Sequence, residues 1–141
     1  MYHIKMKMTF ILTQLFVVTI CAGFFSCSSL STDQIAKVKY EYYGDFGSEI
    51  AKITLFKKND STYAKLETEG ESTQEVMITK AQLDSFEKFV VTFKALTKEG
   101  LCSSSISCTI YTKREKLSKE NISCSWTGFR KLKSDLGFIK D

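Results

Sequence analysis

The sequence predicts an α+β fold of two layers, with an antiparallel sheet carrying helices on one face. Three observations predict it. Residues 35–78 alternate apolar and polar side chains in short runs separated by turn residues. At residue 79 the period changes to that of a helix, which continues to about residue 98. Period two then returns over 106–126 before a last short amphipathic stretch. Short links between successive strands imply a meander, and an antiparallel sheet keeps one face for its helices. The expected order is a four-strand meander, a helix, a hairpin and a short C-terminal helix.

In the first run, 35–43, Val38, Tyr40 and Tyr42 alternate with Lys37, Lys39 and Glu41. Gly44-Asp45-Phe46-Gly47 is a turn, with glycine at both ends for backbone freedom. Ala51, Ile53 and Leu55 share one face of a second strand, 49–57. After Lys58-Asn59-Asp60, a third strand at 61–68 points Ala64 and Leu66 inward and Tyr63, Lys65 and Glu67 outward. Glu69-Gly70-Glu71 turns the chain into a shorter strand at 73–78. Thr79 and Gln82 have the spacing of a capping box. Leu83, Phe86, Val90 and Phe93 then form a helical stripe, widened by Phe89 and Leu96, with Gly100 as the expected C-cap. Ile106, Cys108 and Ile110 share a strand face, residues 114–119 turn, and Ile122, Cys124 and Trp126 share the face of a returning strand. Phe129, Leu132, Leu136 and Phe138 close the chain in a short helix with Thr127 as its cap.

Ahead of the domain, residues 1–26 have the parts of an export signal. Lys5 and Lys7 supply a basic start, no acid precedes Asp33, and an apolar run extends from Met8 to Phe25. The run ends in Gly23-Phe24-Phe25-Ser26-Cys27. This segment resembles the bacterial lipoprotein signal class, whose lipobox ends in a cysteine that becomes the lipidated N-terminus. The resemblance implies diacylglyceryl transfer to Cys27, cleavage before it, and lipid anchoring in the bacterial cell envelope, on the periplasmic or surface side and most naturally at the outer membrane. Phe24 and Phe25 depart from the usual small or aliphatic lipobox residues. Cys21 fits less well because bulky Ile20 precedes it. An uncleaved transmembrane anchor and plain secretion are the competing readings. Residues 27–34 read as a short tether, and residues 35–141 as one domain.

Composition narrows the chemistry. The chain has 141 residues with 20 Lys+Arg and 16 Asp+Glu, and without Lys5 and Lys7 the net charge is +2. That interspersed charge does not suggest nucleic-acid binding. The stretch Lys113-Arg114-Glu115-Lys116 reads as a solvated hairpin tip. The single histidine is His3, inside the signal, so the exported part lacks the imidazole that Ser-His or Cys-His catalysis and most zinc sites use. No metal site or cofactor is expected, and no enzyme. The acid pairs, such as Glu67 with Glu69, read as a solvated face.

With Cys27 lipidated, Cys102, Cys108 and Cys124 remain. An oxidising compartment favours one disulfide. The shared strand faces favour Cys108–Cys124, with Cys102–Cys124 as the alternative. Tyr43, Phe46 and Tyr63 are the candidate contact residues, because aromatics off the apolar faces often anchor interfaces. The element order over most of residues 36–138 resembles that of small bacterial protease-inhibitor domains such as emfourin, and Gly44-Asp45-Phe46-Gly47 echoes that family's Gly-rich early turn. The function expected is therefore a membrane-tethered, non-catalytic binding module with an envelope protein or ligand as partner. An inhibitor-like domain and an accessory subunit of an envelope assembly are the alternatives.

Overall fold

Alternating apolar residues produce six strands: β1 (Gln34–Gly44), β2 (Gly47–Lys58), β3 (Ser61–Thr68), β4 (Gln74–Met77), β5 (Ser105–Thr112) and β6 (Lys116–Lys119). Among the described residues two helices, α1 (Lys80–Ala95) and α2 (Gly128–Asp135), complete the α+β fold. The computed structural model describes residues 33–45, 47–97 and 102–139. The expectations on the export signal and Cys27, and those on Phe46 and Gly100, lie outside the described residues.

All strand pairings are antiparallel, and the sheet order is β4-β3-β2-β1-β5-β6. The meander β1–β4 is as predicted. The hairpin β5–β6 adds to its other side, beside β1. The chain therefore leaves the β4 edge and returns on the far side of β1, so α1 spans the sheet between them. Register places Val38 opposite both Ile53 and Ile110, and Ile53 opposite Leu66. These four side chains form one row across the inner face. Ala36, Leu55 and Ala64 make the adjacent row, and all seven are buried.

Phe86 and Phe93 of α1 and Phe129 and Leu132 of α2 cover that face. Burying such side chains contributes roughly 1.5–3 kcal/mol each. Tyr40 stacks on Phe129 at 4.3 Å between ring centroids, and Trp126 lies within about 6 Å of Tyr40, Phe89 and Phe93. One aromatic cluster thus ties β1, α1 and α2. Lys133 of α2 adds an ion pair with Glu49 of β2 at 2.8 Å.

The start of α1 follows the predicted chemistry. Thr79 accepts from the Gln82 N–H at 3.3 Å, and the Gln82 side chain accepts from the Thr79 N–H at 2.9 Å. Its end differs, because the helix stops at Ala95 and Leu96 turns extended. The ammonium of Lys119 donates to the carbonyls of Lys94 (3.0 Å) and Leu96, where the helix dipole is negative. In α2, Thr127 occupies the cap position, yet its side chain makes no capping hydrogen bond.

The hairpin is shorter than expected. Residues 116–119, read as part of the turn, form β6, with Ser118 opposite Thr109 and Leu117 opposite Ile110. Ile122, Cys124 and Trp126 belong to the connection into α2, not to a strand. Ile122 is nevertheless held beside β5, its N–H donating to the Ile106 carbonyl at 3.0 Å.

That register corrects the preferred disulfide. Cys108 faces Lys119, and Ile122 already lies level with Ile106, so Cys124 has passed beyond the start of β5. It meets Cys102 there, and the disulfide is Cys102–Cys124, with 6.1 Å between Cα atoms. Cys108 is a buried free thiol among the core side chains.

Candidate functional site

The helices leave the outer face of the sheet uncovered, and its two ends differ. At one end β1 runs into the turn to β2. Tyr43 lies between Ser48 and Ser105 in register and is 49% exposed. Gly44 follows, with the Tyr42 ring folded across it. A Cβ on Gly44 would sit 2.2 Å from the Tyr42 hydroxyl and 3.2 Å from Ser104, so a side chain there would have to displace the Tyr42 ring.

Beside this turn runs the segment Cys102-Ser103-Ser104-Ser105. Its disulfide to Cys124 holds it to the connection ahead of α2. Ser104 Oγ lies 3.1 Å from Cys124 Sγ, and Ser105 donates to Asn121 Oδ1 at 3.5 Å. The result is a rim: an exposed tyrosine, a glycine turn and a serine-rich segment fixed by a crosslink. Tyrosine offers a large contact area with few rotors to immobilise, and serine and glycine offer adaptable hydrogen bonds. The crosslink lowers the ordering cost of binding.

Of the predicted contact residues, Tyr43 belongs to this rim. Tyr63 does not. It lies at the opposite end of the sheet, opposite Phe56, which is eight residues from Ser48 along β2, roughly 27 Å at strand rise. There the Tyr63 and Phe56 rings stack at 5.9 Å, and the Lys58 ammonium sits 5.8 Å from the Tyr63 ring. Predicting two aromatics on outward positions could not reveal that a whole strand length separates them.

Concavities elsewhere on the described residues were not foreseen either. A cleft of about 300 Å³ between α1 and α2 is lined by Phe89, Trp126, Lys88 and Lys131. Its floor is the aromatic cluster that joins the helices. A shallow depression of about 500 Å³ on the outer sheet face holds Glu41, Lys52, Glu67 and Glu69. Glu67 is bonded there by Lys52 at 2.8 Å and Lys65 at 3.2 Å. The Lys52 hydrogen bond, helped by Lys65, holds the Glu67 carboxyl below its ordinary value against the opposing effect of burial. A carboxylate held ionised in this way is poorly suited to be a general acid.

Burial and the neighbouring charges of Lys39 and Lys52 lower the Lys37 ammonium. Burial raises the Cys108 thiol to about 12, so this cysteine is a packed apolar group and not an activated nucleophile. Among the described residues, no group of three or more His, Cys, Asp and Glu side chains is placed to hold a metal ion.

Compared with known proteins, the chain matches no family model and no curated protein.

Proposed function

We propose that this protein is a membrane-tethered lipoprotein of the bacterial cell envelope, and that its folded part is a non-catalytic module that binds an envelope protein. The observation that carries the binding reading is the rim: exposed Tyr43 beside a segment fixed by Cys102–Cys124. The lipobox-like ending Ser26-Cys27 supports the tether. The absence of histidine after His3 and the ion-paired state of Glu67 support a role without catalysis.

The test has two parts. Expressed in a Gram-negative host, the protein is expected to fractionate with membranes and to carry the mass of a lipidated chain beginning at Cys27. Cys27→Ala should abolish both, and a wild type that retains residues 1–26 would overturn the tether. In the same cells, in-situ crosslinking followed by purification should yield a defined envelope protein. That product should be lost with Tyr43→Ala and kept with Tyr63→Ala. A product indifferent to Tyr43 would remove the rim from the reading. Inhibition of an envelope protease, lost on reducing Cys102–Cys124, would specify the module as an inhibitor.

A further inference from the structure

The charges of the sheet layer separate along the strand axis. The rim end carries Glu41, Asp45, Glu69 and Glu71 on the strands and their turns, together with Glu49, which is paired with Lys133 at 2.8 Å. The opposite end gathers Lys57 and Lys58 at the close of β2 and Lys113, Arg114 and Lys116 at the β5–β6 turn. Its acids are Asp33 beside Lys57, Asp60 in the β2–β3 turn, Glu75 and Glu115, and the last two are engaged: Glu75 with Lys58 at 3.9 Å, and Glu115 with Lys94. Lys57, Lys113, Arg114 and Lys116 have no ion pair among the described residues.

An apolar row lies at the same end. Register places Met77 opposite Tyr63 and Tyr63 opposite Phe56. Met77 is 66% exposed, although it continues a strand of the sheet. Aromatic rings and an exposed apolar side chain flanked by lysine and arginine form the composition that settles at a membrane–water boundary.

The chain also enters the domain here. Gln34 pairs with Phe56, and the Lys57 N–H donates to the Asp33 carbonyl at 2.9 Å. From Cys27 to Gln34 the backbone reaches at most about 25 Å. β2 alone, with 12 residues, is about 40 Å long. A lipid on Cys27 therefore keeps the basic end nearer the bilayer than the acidic rim.

We infer that the end of the sheet formed by Lys57, Lys58, Lys113 and Arg114, with Met77, Tyr63 and Phe56, docks onto the anionic headgroups of the bilayer that holds the tether. This rests on the tethered reading and deepens it: docking stands the domain upright and presents the Tyr43 rim away from the membrane. Each basic residue close to an anionic surface strengthens attachment about fivefold, and salt screens it.

The experiment uses the protein as purified from the membranes of a Gram-negative host, in vesicles of mixed phosphatidylglycerol and phosphatidylcholine, beside vesicles of phosphatidylcholine alone. Flotation and amide hydrogen exchange are read together. With phosphatidylglycerol, exchange at residues 57–62 and 112–116 should slow at least about fivefold relative to phosphatidylcholine alone, while residues 41–45 and 69–71 stay unchanged. High salt and the charge reversals Lys57→Glu with Arg114→Glu should each remove the difference, with exchange in α1 unaltered as the check on folding.

Equal exchange in the two vesicles, or protection that survives charge reversal, would overturn the docking. The tether is judged separately: a chain that floats with phosphatidylcholine alone retains it whatever the exchange shows. If flotation requires phosphatidylglycerol, the tether reading fails while the docking surface stands.

Discussion

At the scale of single residues, environment decides what a side chain does. Cys108 was a plausible disulfide partner by strand face, yet it is packed among Val38, Ile110 and other core groups. In the native protein it should resist alkylation by iodoacetamide and react only after denaturation, as mass spectrometry of its peptide would report. Its titration also bears on stability. The thiol rises from 9.0 to about 12 on folding, so the native state holds a proton that the unfolded chain releases first. Stability is therefore undiminished below pH 9 and falls as pH rises toward 12. Tyr40, raised from 10.0 to about 12 by burial and then by Glu49, acts in the same direction. Urea midpoints measured from pH 8 to 11 should decline, and more shallowly in Cys108→Ala. Gly128 is a second local constraint, since a Cβ there would approach the Trp126 ring to 2.5 Å. Gly128→Ala should shift Trp126 fluorescence and lower the unfolding midpoint.

At the scale of elements, ends are set by chemistry that is local in one case and remote in the other. The start of α1 is local: Thr79 and Gln82 cap each other across three residues. Thr79→Ala should cost about 1 kcal/mol in equilibrium unfolding. The end of α1 is remote, because the cation that meets its last carbonyls is Lys119 from β6. Lys119→Met should cost about 1 kcal/mol, less at high salt, through the lost interaction with the helix dipole. This explains why the capping box was legible in the sequence and the end was not. Spacing within one helix is a property of consecutive residues, whereas Lys119 reaches α1 only once β6 has joined the sheet. The hairpin shows the same division. The alternation of Ile106, Cys108 and Ile110 identified β5, but Ile122, Cys124 and Trp126 imitated a strand. Ile122 and Trp126 pack against the core from an irregular connection, whereas Cys124 is exposed and tied to Cys102.

At the scale of the whole molecule, the two layers meet through α2, whose burial depends on all that precedes it. Leu132 is among the most buried side chains, and Leu132→Ala should cost about 2–5 kcal/mol in urea unfolding, with Trp126 emission reporting the looser contact between the helices. Charge is likewise a property of the whole: the chain's interspersed acids and bases become a basic end and an acidic end only after the strands align. The sequence alone determined the α+β class, the meander, the strand faces and the start of α1. Each rests on a period of two or 3.6, which consecutive residues carry. It also placed Tyr43 outward. Only the tertiary structure decided that β5 pairs with β1, that Cys124 joins Cys102, and that Tyr43 and Tyr63 lie at opposite ends. Those outcomes depend on register between segments distant in sequence, and register comes from packing two faces together, which no local pattern encodes.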